Sequence, residues 1–403
     1  MKRLACLLLL IPLIAGCTTP YDPPDVVGEQ VFPGAMTLAT QSKTNRVRVV
    51  MAHGMCSGFH KYYGANNWVA KRAGLIAEAI GNTSFAPRDY TPTKEYPDIP
   101  GQQSAVQRID MTMQGQGGVT YDMSFLLWGE TFDKARDEID SVQIADSTGK
   151  LPQRGTLNAT LKDNLMNECF VDAVAYTGPR GDVVRKNMRQ ALCELMGGRI
   201  SGRNTGRSSE TVKCLGLSGA SDTPVMLVPE SLGAKVVLDA FLALDDGAGG
   251  TRKARALGPV KAIHLATHQL PLLDTALAPD DATRTTRNQR AYQTANLAAQ
   301  QAAPPEVSNQ LDDFLQVLNA ARNTRRDSGP LSLVVYYDPN DMFGYPLTTS
   351  YLGPRLDVAL TNVIVSNAPT YAGLASNPLE SHRNTARPGI AKIIVQGSDA
   401  LAP

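Results

Sequence analysis

Ser231 lies in the stretch "VMLVPESLGAKVVLDAF", where an apolar run passes through Pro229, Glu230, Ser231, Leu232 and Gly233 into an amphipathic pattern. A hydroxyl is a weak nucleophile until an imidazole takes its proton. The imidazole in turn needs a carboxylate to fix its tautomer and stabilise its charge. Of the five histidines, His53 and His60 come early, His264 and His268 sit in and just after an apolar run, and His382 alone lies late, in "NPLESHRNTARP". Carboxylates for such a partnership stand in "DPNDMFGYP", as Asp338 or Asp341. These types support acyl transfer through an activated serine. Ser231 has a second use open to it: a serine opening "LGAKVVLDAF" can be a helix N-cap, with its hydroxyl turned to an orphan amide.

Positioning such groups requires strands and helices in alternation. "VRVVMAHGMCSGFH" reads as a buried strand ending in a Gly-containing turn, and "WVAKRAGLIAEAIG" as a helix with Gly at its end. "QRIDMTMQGQGGVTYDMSFLLWGE" reads as two strands joined at "GQGG", with "TFDKARDEI" continuing as a short helix. "TLKDNLMNECFVDAVAY" and "GDVVRKNMRQALCELMGG" carry i, i+3, i+4 apolar spacing and predict helices. Beyond Ser231 come strand "VKAIHLAT", a polar insertion near 279–305, helix "LDDFLQVLNAAR", strands "LSLVVYYD" and "LTNVIVSN", and a last helix near "GIAKIIVQG". This order implies an α/β fold with a mainly parallel central sheet and helices on both faces.

In that order the chain resembles the α/β-hydrolase superfamily. "HGMCSG" (His53 to Gly58) stands like the family's His-Gly oxyanion loop, "PESLG" like its G-x-S-x-G elbow, "DPNDMFGYP" like its acid loop, and His382 like its late base. The resemblance spans roughly residues 36–397 and implies a triad of Ser231, His382 and Asp341. Aligning Asp338 with the Gly that often ends the family's acid strand selects Asp341, and leaves Asp338 as a turn former. It also implies an oxyanion hole built from the amide of Leu232 and an amide of Met55 or Cys56. Pro229 departs from the pattern. It is tolerable only if its missing amide lies outside the sheet ladder. His53 is expected to orient its loop by hydrogen bonding, His264 to be a core residue, and His268 to line the pocket or pack. Glu230 is expected to be solvated or in contact with a loop.

The first residues, "MKRLACLLLLIPLIAGC", put Lys2 and Arg3 before an apolar run too short to span a membrane as a mature helix, which is the pattern of an export signal. "IAGC" resembles a bacterial lipobox. That implies cleavage after residue 16, a lipidated Cys17 and membrane attachment, and Thr18 in place of Asp favours the outer membrane. Residues 17–35 read as a tether, and 36–403 as one hydrolase domain with insertions near 141–222 and 279–305. Loss of Lys2 and Arg3 takes 39 basic residues to 37 against 38 acidic ones. With no basic block, nucleic acid is not expected as a partner.

Six cysteines include Cys6 and Cys17, leaving Cys56, Cys169, Cys193 and Cys214 with three connectivities. Cys193 with Cys214 is favoured without being determined. No metal and no cofactor are expected, since paired ligand spacings and a Gly-rich phosphate loop are missing from the sequence. The expectation is therefore a tethered serine hydrolase acting on a small-molecule or lipid carboxylic ester. The alternative is a non-catalytic lipoprotein that keeps the fold as an envelope binding or assembly module.

Overall fold

The computed structural model describes residues 17, 18, 21, 23–55, 65–86, 90–97, 104–141, 155, 158, 159, 161–201, 213–215, 222–244, 257–274, 309–325, 329–352, 357–371 and 376–402. The insertion at 279–305, and Cys56 and His60, lie outside them.

At the centre is a nine-stranded sheet. Its strands in chain order are β1 (Asp25–Gly28), β2 (Arg46–Ala52), β3 (Lys94–Pro97), β4 (Ser104–Gln114), β5 (Thr120–Leu127), β6 (Val225–Pro229), β7 (Val260–Ala266), β8 (Leu331–Tyr337) and β9 (Val358–Ile364). Across the sheet they run β1, β9, β8, β7, β6, β2, β5, β4, β3. The six from β9 to β5 are parallel. β1 at one edge, and β4 and β3 at the other, pair antiparallel.

Parallel strands covered on both faces must be apolar at successive positions. β2 meets that demand: Val47, Val49 and Met51 enter one core, Val50 and Ala52 the other. Helices α2 (Pro179–Leu195), α3 (Leu232–Leu242) and α4 (Gln310–Arg325) cover the face of Val50. Helices α1 (Ala65–Ala79) and α5 (Pro388–Gln396) cover the other. The fold is thus the mixed α/β architecture, with a mainly parallel sheet between helical layers, that the alternation predicts.

Three local features differ from the sequence reading or sharpen it. Within the stretch assigned to the tether, Asp25–Gly28 pairs with β9, and Cys17–Thr18 pairs with Thr370–Tyr371. Extended chain beside an open sheet edge finds partners there for its backbone groups. The single helix predicted over "TLKDNLMNECFVDAVAY" is a π-helix at Leu161–Phe170 followed by an α-helix at Val171–Thr177. The segment is constrained from outside by a disulfide-bonded Cys169 and by the buried ion pair of Arg136 with Asp172, and such tertiary ties override local propensity. Cys193 and Cys214 form a disulfide, Cα–Cα 5.8 Å, joining α2 to a short strand at Lys213–Leu215.

Candidate active site

The carboxyl ends of β2, β6, β7 and β8 converge, as ligand-binding ends do in open α/β sheets. At the end of β6, Glu230 N donates to Ala52 O at 2.9 Å on β2, and Ser231 N donates to Ala266 O at 2.8 Å on β7. α3 begins at the next residue. Turning from strand to helix through Glu230 and Ser231 alone puts Ser231 at φ 55°, ψ −128°, a region that strains any residue with a Cβ.

Two glycines make the elbow possible by close approach. A Cβ on Gly233 would lie 2.4 Å from His53 O, and one on Gly54 would lie 2.5 Å from Ser231 Cβ. Pro229 is accommodated by an interruption in the ladder. β6 and β7 pair through Ile263 and Leu227, then again only at Glu230 and Ala266, so the missing amide falls in the gap.

Ser231 holds the N-cap position of α3, yet its side chain makes no capping bond. Its hydroxyl instead donates to His382 Nε2 at 2.8 Å. His382 Nδ1 donates to Asp341, 2.9 Å from each carboxylate oxygen. All three residues are buried.

The short helix Pro378–Ser381 ends at His382, and Asn367 Nδ2 holds its Ser381 carbonyl at 2.8 Å. Asp338 fixes the other side: its Oδ1 accepts from Asn340 N at 2.8 Å and its Oδ2 from Asn367 N at 2.7 Å. Asp338 is therefore the turn former, and Asp341 is the carboxylate that reaches the imidazole.

No protein-family model matches this chain. No curated protein sequence matches it either. Among solved structures, it is similar to acetyl xylan esterase 1 from Thermoanaerobacterium sp., at 10% identity over 77% of this chain and 91% of the other, with a TM-score of 0.20. That likeness is too slight to bear on function.

His53 anchors its loop through both ring nitrogens. Nε2 accepts from Trp128 N at 3.0 Å and Gly129 N at 3.2 Å, which leaves Nδ1 as the donor to Gly54 O at 2.6 Å. His264 is core, with Nδ1 2.7 Å from the Tyr336 hydroxyl. His268 is fully buried and packs, its Nδ1 accepting from Leu270 N at 3.3 Å. Burial pushes the pKa of both His264 and His268 down to about 3. Leu232, the residue after Ser231, opens α3, and Gly54, the residue before Met55, packs directly against the Ser231 side chain.

Glu230 is not solvated. It is 6% exposed and pairs with Arg72 of α1, Nη2 lying 3.0 and 3.1 Å from its two oxygens. Trp68 Nε1 donates to it at 3.1 Å and Thr385 Oγ1 at 2.6 Å. Burial alone would raise this carboxyl, but the Arg72 charge and the bonds from Thr385, Trp68 and Arg72 outweigh that and hold it below its ordinary value. The guanidinium also donates to Thr385 Oγ1 at 3.0 Å and lies 4.8 Å from the Trp68 ring centre. One buried ion pair so joins α1, the elbow and the loop after His382.

Sequence reasoning missed this network, although Arg72 falls on the apolar stripe of α1 with Val69, Ala73 and Ile76. A charge on a buried stripe needs a partner, and that was the available signal. It also missed Gln269, 2% exposed, whose Nε2 donates to Ser231 Oγ at 3.1 Å.

Proposed function

We propose that this protein is a serine hydrolase that cleaves carboxylic esters, with Ser231 as nucleophile, His382 as general base and then acid, and Asp341 as the group that orients and stabilises the imidazolium. One observation carries the reading. The Ser231 hydroxyl, His382 and Asp341 form a continuous hydrogen-bonded chain, 2.8 Å and then 2.9 Å, on a residue held at φ 55°. In attack, Oγ bonds to the ester carbon while its proton passes to Nε2. Collapse expels the alcohol with that proton, and water then repeats the sequence to release the acid. Leu232 and a second amide from Met55 or Cys56 serve the oxyanion.

The same contact argues for chemistry over the binding-module alternative, which predicts a hydroxyl remote from the base. The attachment reading, with cleavage before Cys17 and a lipidated, outer-membrane protein, belongs to this proposal. It makes a lipid ester or a small envelope ester the substrate. The test is labelling by a fluorophosphonate probe of the wild-type chain beside Ser231→Ala and His382→Ala. Labelling of the wild type alone is expected; equal labelling of Ser231→Ala would end the proposal.

A further inference from the structure

The chain leaves β7 through Thr267, whose φ is 48°. A β-branched residue in the left-handed region is a genuine outlier, and strain of this kind persists where the surroundings enforce it. The sheet enforces it here: Thr267 N still donates to Tyr336 O at 2.9 Å. Two residues later, the buried side chain of Gln269 reaches the nucleophile.

Gln269 Nε2 carries two hydrogens. It lies 3.1 Å from Ser231 Oγ and 3.3 Å from Met55 Sδ. A thioether is a weak acceptor, so the second of these bonds contributes little in the resting site. Met55 belongs to the loop expected to face the developing oxyanion. The amide nitrogen therefore lies between Ser231 Oγ and a side chain of that loop, with its second hydrogen free to turn toward the carbonyl oxygen of an ester bonded to Oγ.

We infer that Gln269 is a catalytic residue, a side-chain donor to the oxyanion alongside the backbone amides; this rests on the serine-hydrolase reading above. As the Oγ–C bond forms and the proton moves to His382 Nε2, the carbonyl π pair becomes a full charge on oxygen. Gln269 then exchanges Met55 Sδ for that oxygen. The bond is weak in the ground state and charge-assisted in the transition state, the condition under which a contact accelerates chemistry rather than merely tightening binding.

The experiment compares wild type with Gln269→Leu and the near-isosteric Gln269→Glu in hydrolysis of p-nitrophenyl acetate, and in inhibition by phenylboronic acid, whose tetrahedral adduct mimics the charged intermediate. Gln269→Leu is expected to lower kcat about 10²-fold with KM little changed, and to weaken the boronate by a similar factor. Gln269→Glu, which sets a carboxylate against the oxyanion, is expected to lose at least as much. Wild-type kcat and boronate affinity in either variant would overturn the inference, as would a loss confined to KM. Should Gln269→Leu fail to fold, Gln269→Glu decides alone. A Ser231→Ala variant as active as wild type would overturn the hydrolase reading and this inference together. Wild-type labelling by fluorophosphonate beside an unaffected Gln269→Glu would overturn this inference only.

Discussion

Thr385 Oγ1 donates to Glu230 Oε2 at 2.6 Å, fastening the loop that carries His382 to the residue before Ser231. The acceptor is a buried carboxylate already paired with Arg72, so the bond is of the stronger, charge-assisted kind. It stands three residues from His382 and one from Ser231, and ties the two segments together.

Thr385→Val removes this donor while keeping the side-chain shape. We expect kcat/KM to fall by about 10- to 100-fold, because a hydrogen bond to a charged group is worth about 1.5–3 kcal/mol and the base loop loses its tie. Thr385→Ser restores the hydroxyl and is expected to keep most of the activity. Equal rates for Val and Ser would assign Thr385 to packing alone.

His264 and His268 give stability a definite pH dependence. Their folded pKa of about 3 lies far below the ordinary 6.5, so between these values the unfolded chain binds more protons than the folded one. Stability is full above pH 6.5 and falls as the pH drops toward 3, with a slope approaching about 2.7 kcal/mol per pH unit from the two together. Urea unfolding from pH 7 to pH 4 measures it. His268→Gln is expected to lower the slope by about half, and an unchanged slope would mean that His268 is not held neutral.

Ser231 bears its φ of 55° for the sake of position. Ser231→Ala and Ser231→Gly both delete the hydroxyl, and both are expected to abolish hydrolysis. They differ in strain: glycine adopts this conformation freely, so Ser231→Gly is expected to be more stable than Ser231→Ala by about 1–2 kcal/mol. Thermal unfolding of the two variants, side by side, reads this difference without any contribution from the lost hydrogen bonds.

The Cys193–Cys214 disulfide closes a separation of 21 residues. The Cys193→Ala, Cys214→Ala double variant is expected to lose about 3 kcal/mol of stability through the loop entropy restored to the unfolded chain. Neither cysteine belongs to the hydrogen-bonded chain of Ser231, His382 and Asp341, so kcat/KM of the folded variant at 25 °C is expected to match wild type. A parallel loss of activity would reveal coupling from α2 to the site.

By itself the sequence determined the alternation of strands and helices, since parallel strands buried on two faces require unbroken apolar runs and their crossovers require helical spacing. It also marked Ser231 as a candidate nucleophile, because that residue stands between a strongly apolar strand and a helix with Gly233 two positions on. Tertiary structure decided the rest. Whether the Ser231 hydroxyl capped α3 or faced His382 depended on a backbone angle set jointly by Ala52 and Ala266, residues far apart in the chain. Asp341 over Asp338 was decided by Asn367, which claims Asp338 for the loop. Glu230, Arg72 and Thr385 are separated by 158 and 155 residues, and Gln269 lies 38 residues from Ser231. Periodicity reports which face a residue occupies, but not which distant side chain meets it there. A buried charge announces that it needs a partner, and only the folded chain names it.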